Sequence, residues 1–156
     1  MVEKMSSAGK EKTLSKINGY YASSFKTDSL LLKKDEKEGE KIFIYSGIAL
    51  PEMHLEWAGC HLATIAKDGV VLSIEGAQQI GKTAGKNVVE ITRKDAQDLM
   101  EGLDLSYDGP ERGYVVLKLS GTPICVCKAE EGRIVNTIPQ SRRTIRYRKK
   151  EENAED

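Results

Sequence analysis

No stretch of this 156-residue chain holds the roughly 20 apolar residues that a membrane-spanning helix needs. The opening, "MVEKMSSAGKEK", has no apolar core of the kind a secretory leader carries, so the expected compartment is the cytoplasm. Cysteine is scarce. Cys60, Cys125 and Cys127 form no C-x-x-C pair, and an odd count argues against a disulfide framework and fits a reducing compartment. Charge of one sign is not in excess either, with 24 Lys and Arg against 24 Asp and Glu. No internal repeat is visible. What remains is the profile of one ordinary domain, or of one domain with a small appendage. A chain of this length buries roughly 70% of its unfolded surface, so it needs neither a disulfide nor a metal to be stable.

What is present sharpens along the chain. Residues 1–12 are polar and lysine-rich and are expected to form a flexible tail. Residues 13–56 read as a small α/β appendage, with a leucine run, the charge-mixed turn "DEKEGE" and the strand-like "KIFIYSGIAL". From Trp57 onward, "CHLATI" and "VVLSI" flank an Asp68-Gly69 pair suited to a tight turn, which predicts a hairpin. Ser73 is placed to cap a short helix through "IEGAQQIGKTA", and "NVVEI" reads as a strand. "TRKDAQDLMEG" is the clearest helix. Thr92 is its N-cap, and Asp95 completes an approximate capping box. Ala96, Leu99, Met100 and Leu103 form its apolar face, and Gly102 supplies the stop. "YVVLKLS", "ICVCKA" and "RIVNTI" are three further strands joined by short turns. That spacing favours an antiparallel sheet or small barrel over βαβ units.

"GAQQIGKT", Gly76–Thr83, spells the phosphate-binding loop G-x-x-x-x-G-K-T. A working loop needs a delivering strand and a helix that begins at the lysine. Here Gly85 and the β-branched "NVVEI" follow too soon, and "YVVLKLSG" ends without a magnesium-binding acid. Ala77, Ile80, Gly81 and Ala84 instead mark the buried stripe of a short helix, with Lys82 at its exposed end. A small P-loop NTPase stays as the enzyme-class alternative.

Cys125 and Cys127 alternate on a strand and share one face, opposite Ile124 and Val126. With Cys60 and His61 they would make a Cys₃His zinc set, but the spacing is poor for zinc and buried thiols are the favoured reading. His54 and His61 have no catalytic partner at a motif spacing and read as surface or packing residues. No cofactor, metal or catalytic set is expected. The charge pattern becomes informative at the end, where "SRRTIRYRKK" puts a basic block around Tyr147 and "EENAED" follows. This is the footprint either of a polyanion site or of a solvated tail.

The run from Trp57 to Arg146 resembles the PUA-like RNA-binding domain that ends many Sun/Fmu-type RNA (cytosine-5) methyltransferases. Three segments carry the likeness: "AGCHLATIAKDGVVLSIEGAQQIG", "AGKNVVEITRKDAQDLMEGLDL" and "GYVVLKLSGTPICVCKAEEGRIVNTIPQSRR". In the third, Gly121, Pro123, Lys128, Gly132, Asn136 and Pro139 all fall in place. Cys125 and Cys127 stand where that family has glycines, and Gln140 where it has lysine. The resemblance implies an α+β fold: a PUA-like, mixed, small β-barrel over residues 57–147 with flanking short helices. The appendage precedes it, and residues 148–156 form a charged tail. Lys86, Asn87, Lys128, Asn136, Arg142 and Arg143 match the family's polar and basic positions, and with the further cations Lys82, Arg133, Arg146 and Arg148 they are the residues expected to contact RNA. The cofactor-binding domain and catalytic cysteines of those enzymes have no counterpart here. The expected protein is therefore a non-catalytic binder of structured RNA (rRNA or tRNA) in RNA modification or ribosome biogenesis. A separate methyltransferase or ribosome-assembly factor is its expected partner, with no role for membrane or DNA. A protein-interaction subunit of an RNA methyltransferase is the other alternative.

Overall fold

The computed structural model describes residues 2–47 and 58–143. Strand β1 (Glu3–Lys4) leads into helix α1 (Ser7–Tyr21), followed by strands β2 (Leu30–Glu36), β3 (Gly39–Tyr45), β4 (Cys60–Ala66) and β5 (Gly69–Leu72). The five strands form one antiparallel sheet in chain order. Helix α2 (Ile74–Ile80) then delivers the chain to β6 (Val88–Ile91), helix α3 (Arg93–Met100), β7 (Leu105–Ser106), β8 (Gly113–Leu119), β9 (Thr122–Glu130) and β10 (Arg133–Val135). These strands build a second, curled sheet in the order β6-β8-β9-β10-β7, and a 3₁₀ turn at Gln140–Arg142 follows. The sheet is mixed, because β6 runs parallel to β8 while the other pairs are antiparallel. The whole is an α+β fold with a PUA-like half-barrel.

Local chemistry explains most of the elements. The β4–β5 hairpin turns at Lys67-Asp68, with Ala66 facing Gly69. Thr92 caps α3 in a reciprocal box: its hydroxyl accepts from the Asp95 amide, and the Asp95 carboxylate accepts from the Thr92 amide, both at 3.1 Å. Of the apolar face expected for α3, Leu99 is fully buried. Met100 and Leu103 are 38% and 47% exposed, because the helix ends at Met100 and the chain turns away toward β7.

Two expectations need correction. Residues 1–12 are not a tail: they hold β1 and the first half of α1. Their polarity misleads because α1 buries only Thr13, Ile17 and Tyr21, a single narrow stripe at four-residue spacing. The α/β content expected over 13–56 is present as part of α1, β2 and β3, but 56/57 is not a packing boundary. Strand β3 pairs with β4 across it. One core joins Ile17 and Tyr21 of α1, Leu31, Ile42, Leu62 and Val70 of the first sheet, Ala77 and Ile80 of α2, and Val116 and Val126 of the second sheet.

A second core lies on the far side of β8 and β9, where Val115, Leu117, Cys125, Cys127 and Ala129 meet Leu99, Leu105, Ile134 and Ile138. Ile124 packs against this core beside the cysteines, contrary to simple alternation, because the β8–β9 register shifts at Leu117/Lys118.

Where α2 crosses the first sheet there is no room for a side chain. A Cβ on Gly76 would lie 2.0 Å from the Leu62 carbonyl oxygen. Gly76→Ala is expected to destabilise the fold by about 3 kcal/mol, lowering the melting temperature by roughly 6–12 °C in a thermal scan.

Candidate nucleic-acid interface

The octapeptide Gly76–Thr83 is mostly helix. The Ser73 hydroxyl caps α2, accepting from the Gly76 amide at 2.9 Å and donating to the His61 carbonyl at 2.6 Å. The amide that a phosphate would use is therefore already taken. A phosphate loop places its lysine where a helix begins. Here Lys82 and Thr83 follow the end of a helix, where the carbonyl groups carry partial negative charge. The Thr83 hydroxyl accepts from the Ser24 amide at 3.0 Å. Gly81 lets the helix approach β8 and β9, since a Cβ there would come within 3.0 Å of Val116 and 2.7 Å of Pro123. The P-loop NTPase alternative finds no phosphate-loop geometry here: the motif lies within α2 and the turn after it, and it packs against both sheets.

The residues expected to contact RNA fall into three groups. Lys82, Lys86 and Asn87 lie on the segment between α2 and β6, at the C-terminal end of α1. Lys82 and Lys86 are exposed and make no ion pair with the described residues. Asn87 is a structural residue: it holds a left-handed backbone (φ 55°), and its amide donates to the Tyr20 carbonyl at 2.7 Å. The Gly85 and Lys86 amides both donate to the Tyr21 carbonyl at 3.0 Å. The open carbonyls at the end of α1 thus fix the loop that presents the lysines.

Lys128 stands apart from them on β9. Its ammonium is 3.5 Å from the Asp68 carboxylate and 5.7 Å from the centre of the Tyr114 ring.

The third group surrounds the end of α3. The Asn136 side-chain amide donates to the carbonyls of Leu99 (2.7 Å) and Leu103 (3.0 Å), and its oxygen accepts from the Ile138 amide at 2.9 Å. Asn136 is thus the C-terminal clamp of α3. Arg143 donates from Nε to the Ile138 carbonyl at 2.9 Å and from Nη2 to Asn136 Oδ1 at 3.5 Å. Arg133 is shared between Glu130 (3.2 Å) and Asp104 (3.6 Å). Arg142 pairs with Glu75 at 3.0 Å. Bonds to its own backbone amide and to Arg142 hold the Glu75 carboxyl below the usual carboxylate range. Both partners are nearly half exposed, at 49% and 42%, so the pair is worth less than about 1 kcal/mol and yields readily to a phosphate. Arg146, Arg148 and the rest of the basic block around Tyr147 lie outside the described residues, as does His54.

The Cys₃His set is not assembled. Cys125 and Cys127 are buried in the second core, whereas Cys60 is exposed. Among the described residues no group of three or more His, Cys, Asp or Glu is placed to hold a metal. The hydrogen bond that the Cys125 thiol donates to Cys127, together with burial, pushes the Cys125 thiol up. Burial lowers the His61 pKa, and its Nε2 lies 3.1 Å from the Ala63 carbonyl.

Residues 86–144 match the family model described as the methyltransferase RsmF PUA domain. The matched segment takes in the entire second sheet with α3 and the Arg142–Arg143 corner, and so carries a PUA-like domain of the type found in Sun/Fmu-type methyltransferases. No curated protein matches the chain.

Two outcomes separate structural from binding residues here. Asn136→Ala is expected to cost about 3 kcal/mol, since it strands two carbonyls and an amide, whereas Lys86→Ala should stay within roughly 0.5 kcal/mol of the parent. Urea unfolding midpoints distinguish them. Equilibrium dialysis with labelled ATP and magnesium should show no saturable binding to the parent chain, and Lys82→Ala should leave that result unchanged.

Proposed function

We propose that this chain, whose residues 86–144 form a PUA-like domain of the Sun/Fmu methyltransferase type, is a non-catalytic, cytoplasmic RNA-binding protein. It acts on structured RNA, rRNA or tRNA, in RNA modification or ribosome biogenesis. A separate methyltransferase or ribosome-assembly factor supplies the activity that the chain does not carry. The observation that carries this reading is the family match over the second sheet, because RNA binding is what that domain type implies.

The electrostatics agree with it. Phosphate charge dominates affinity for a nucleic acid, and lysine and arginine supply the neutralising contacts. Lys82 and Lys86, which make no ion pair with the described residues, and Arg142, whose pair with Glu75 is solvent-exposed, are the cations best placed to do so. Arg143, Asn136 and Asn87 act one step back: they fix the backbone from which those cations project. Sequence preference comes from unpaired bases or helix ends, because side chains do not read the deep major groove of A-form RNA.

Lys86→Ala with Arg142→Ala is the informative pair, since neither side chain holds the fold. In fluorescence anisotropy against a labelled RNA hairpin, the double variant should bind more weakly. Its dependence of log K on log salt should flatten by about 0.7 for each single-stranded phosphate that the variant no longer neutralises. An unchanged slope removes these residues from the interface. Crosslinking of the chain in cell extract, followed by sequencing of the bound RNA, identifies the target. Recovery of no RNA above background overturns the reading.

A further inference from the structure

Outside the matched segment, a cleft of about 310 Å³ opens between the first half of α1 and the sheet formed by β1–β5. Four lysines line it: Lys4 from β1, Lys12 and Lys16 from α1, and Lys33 from β2. One acid, Glu40, faces them, 3.9 Å from the Lys33 ammonium. Lys4, Lys12 and Lys16 make no ion pair with the described residues, and the first turn of α1 holds no acidic residue. Ordinary surfaces intersperse the two signs, and this chain has as many acids as bases. A four-to-one excess gathered in one concavity is therefore a local departure.

The arrangement has an electrostatic cost and a use. Like charges placed together repel, and the apolar floor of the cleft, which includes Met5 and Ile65, limits screening by water. The same walls focus the positive potential outward and concentrate counter-anions at the mouth. Lys12 and Lys16 lie four residues apart, so both rise from one side of α1, flanking the buried stripe of Thr13 and Ile17. Their stems are anchored on a helix packed into the first core, so the charges are held in place by the fold. Lysine ammonium groups act as point charges with no demand for a planar partner, which suits phosphates spaced along a flexible backbone.

We propose that this cleft is a second RNA-phosphate site, which holds the target from the N-terminal half of the chain while the PUA-like domain holds it elsewhere. The inference rests on the RNA-binding reading above. It assigns a binding role to residues that the family match does not reach.

The test uses the full chain and a fluorescein-labelled RNA hairpin titrated by anisotropy from about 50 to 200 mM salt. Lys12→Gln with Lys16→Gln removes two exposed charges without touching the core, and an unchanged thermal melt verifies the fold. Expected is a salt slope flatter by about 1.4 (two phosphates at roughly 0.7 each), with at least a several-fold drop in affinity at the lower salt. Lys37→Gln with Lys67→Gln, which removes two charges at a different edge of the same sheet, should leave the slope at its parent value. Parent-like binding and slope in Lys12→Gln/Lys16→Gln overturns the cleft while the RNA-binding reading stands. An equal effect from the control pair also overturns it, because the weakening is then one of overall charge. Absence of RNA binding by the parent overturns both. Binding of the parent to anionic phosphatidylserine vesicles, abolished by the same double variant, with RNA binding untouched, assigns the cleft to a membrane surface instead.

Discussion

The structure depends on one pair of strands having no exposed face. Strands β8 and β9 stand between two cores, with Val116 and Val126 turned to one and Val115, Leu117, Cys125 and Cys127 to the other. A strand buried on both sides loses the alternation that marks a half-buried one and reads as a nearly unbroken apolar run. "YVVLKL" and "ICVC" have that character. The wall also accounts for the two thiols. They stand where the resembled methyltransferase domains have glycine, but here they point inward and fill the second core. Whatever a glycine would allow a nucleic acid to approach, these side chains occupy interior space rather than the binding surface.

Charge is placed on this frame in two ways. Arg133, Arg143 and Lys128 are bound into local pairs and carbonyl contacts, so their first effect is on shape. Lys82, Lys86, Lys4, Lys12 and Lys16 make no ion pair with the described residues. A chain of balanced charge thus gathers lysines locally, four of them around one cleft with a single acid. Net charge describes solubility here. Attraction of a charged ligand depends on the local balance at a cleft or loop.

The parts legible in the sequence were those fixed by neighbours along the chain. The β4–β5 hairpin (its turn one residue earlier than the expected Asp68-Gly69, at Lys67-Asp68), the Ser73 cap, the Thr92–Asp95 box and the three closing strands follow from residues within a few positions of one another. The rest was set by partners far away. Helix α1 fully buries only three side chains, with Leu14 and Tyr20 half-buried beside them, so its stripe is visible only once the first sheet supplies the opposing surface. The shift at Leu117/Lys118, which brings Ile124 to the cysteine side, has no local marker. Strand β7 is two residues long and exists because β10 offers it an edge. The resemblance put Asn136 among the RNA contacts, whereas its amide donates to carbonyls more than thirty residues earlier, a partner that no local pattern marks. The phosphate-loop spelling shows the converse, a local match whose meaning is decided by a helix that starts too early.

The end of α1 has a kinetic implication. Its last carbonyls, at Tyr20 and Tyr21, are closed by amides of residues 85–87, and the Tyr20 hydroxyl accepts from the Tyr114 amide at 3.1 Å. During synthesis, α1 therefore waits for partners made much later, and β6 in turn waits for β8 to supply its parallel neighbour. Contacts so distant in sequence carry a loop-closure cost before they return any stabilisation. Helix α1 thus stands more than sixty residues ahead of the amides that close its last turn, and the loop that presents Lys82 and Lys86 is fixed by that same seam.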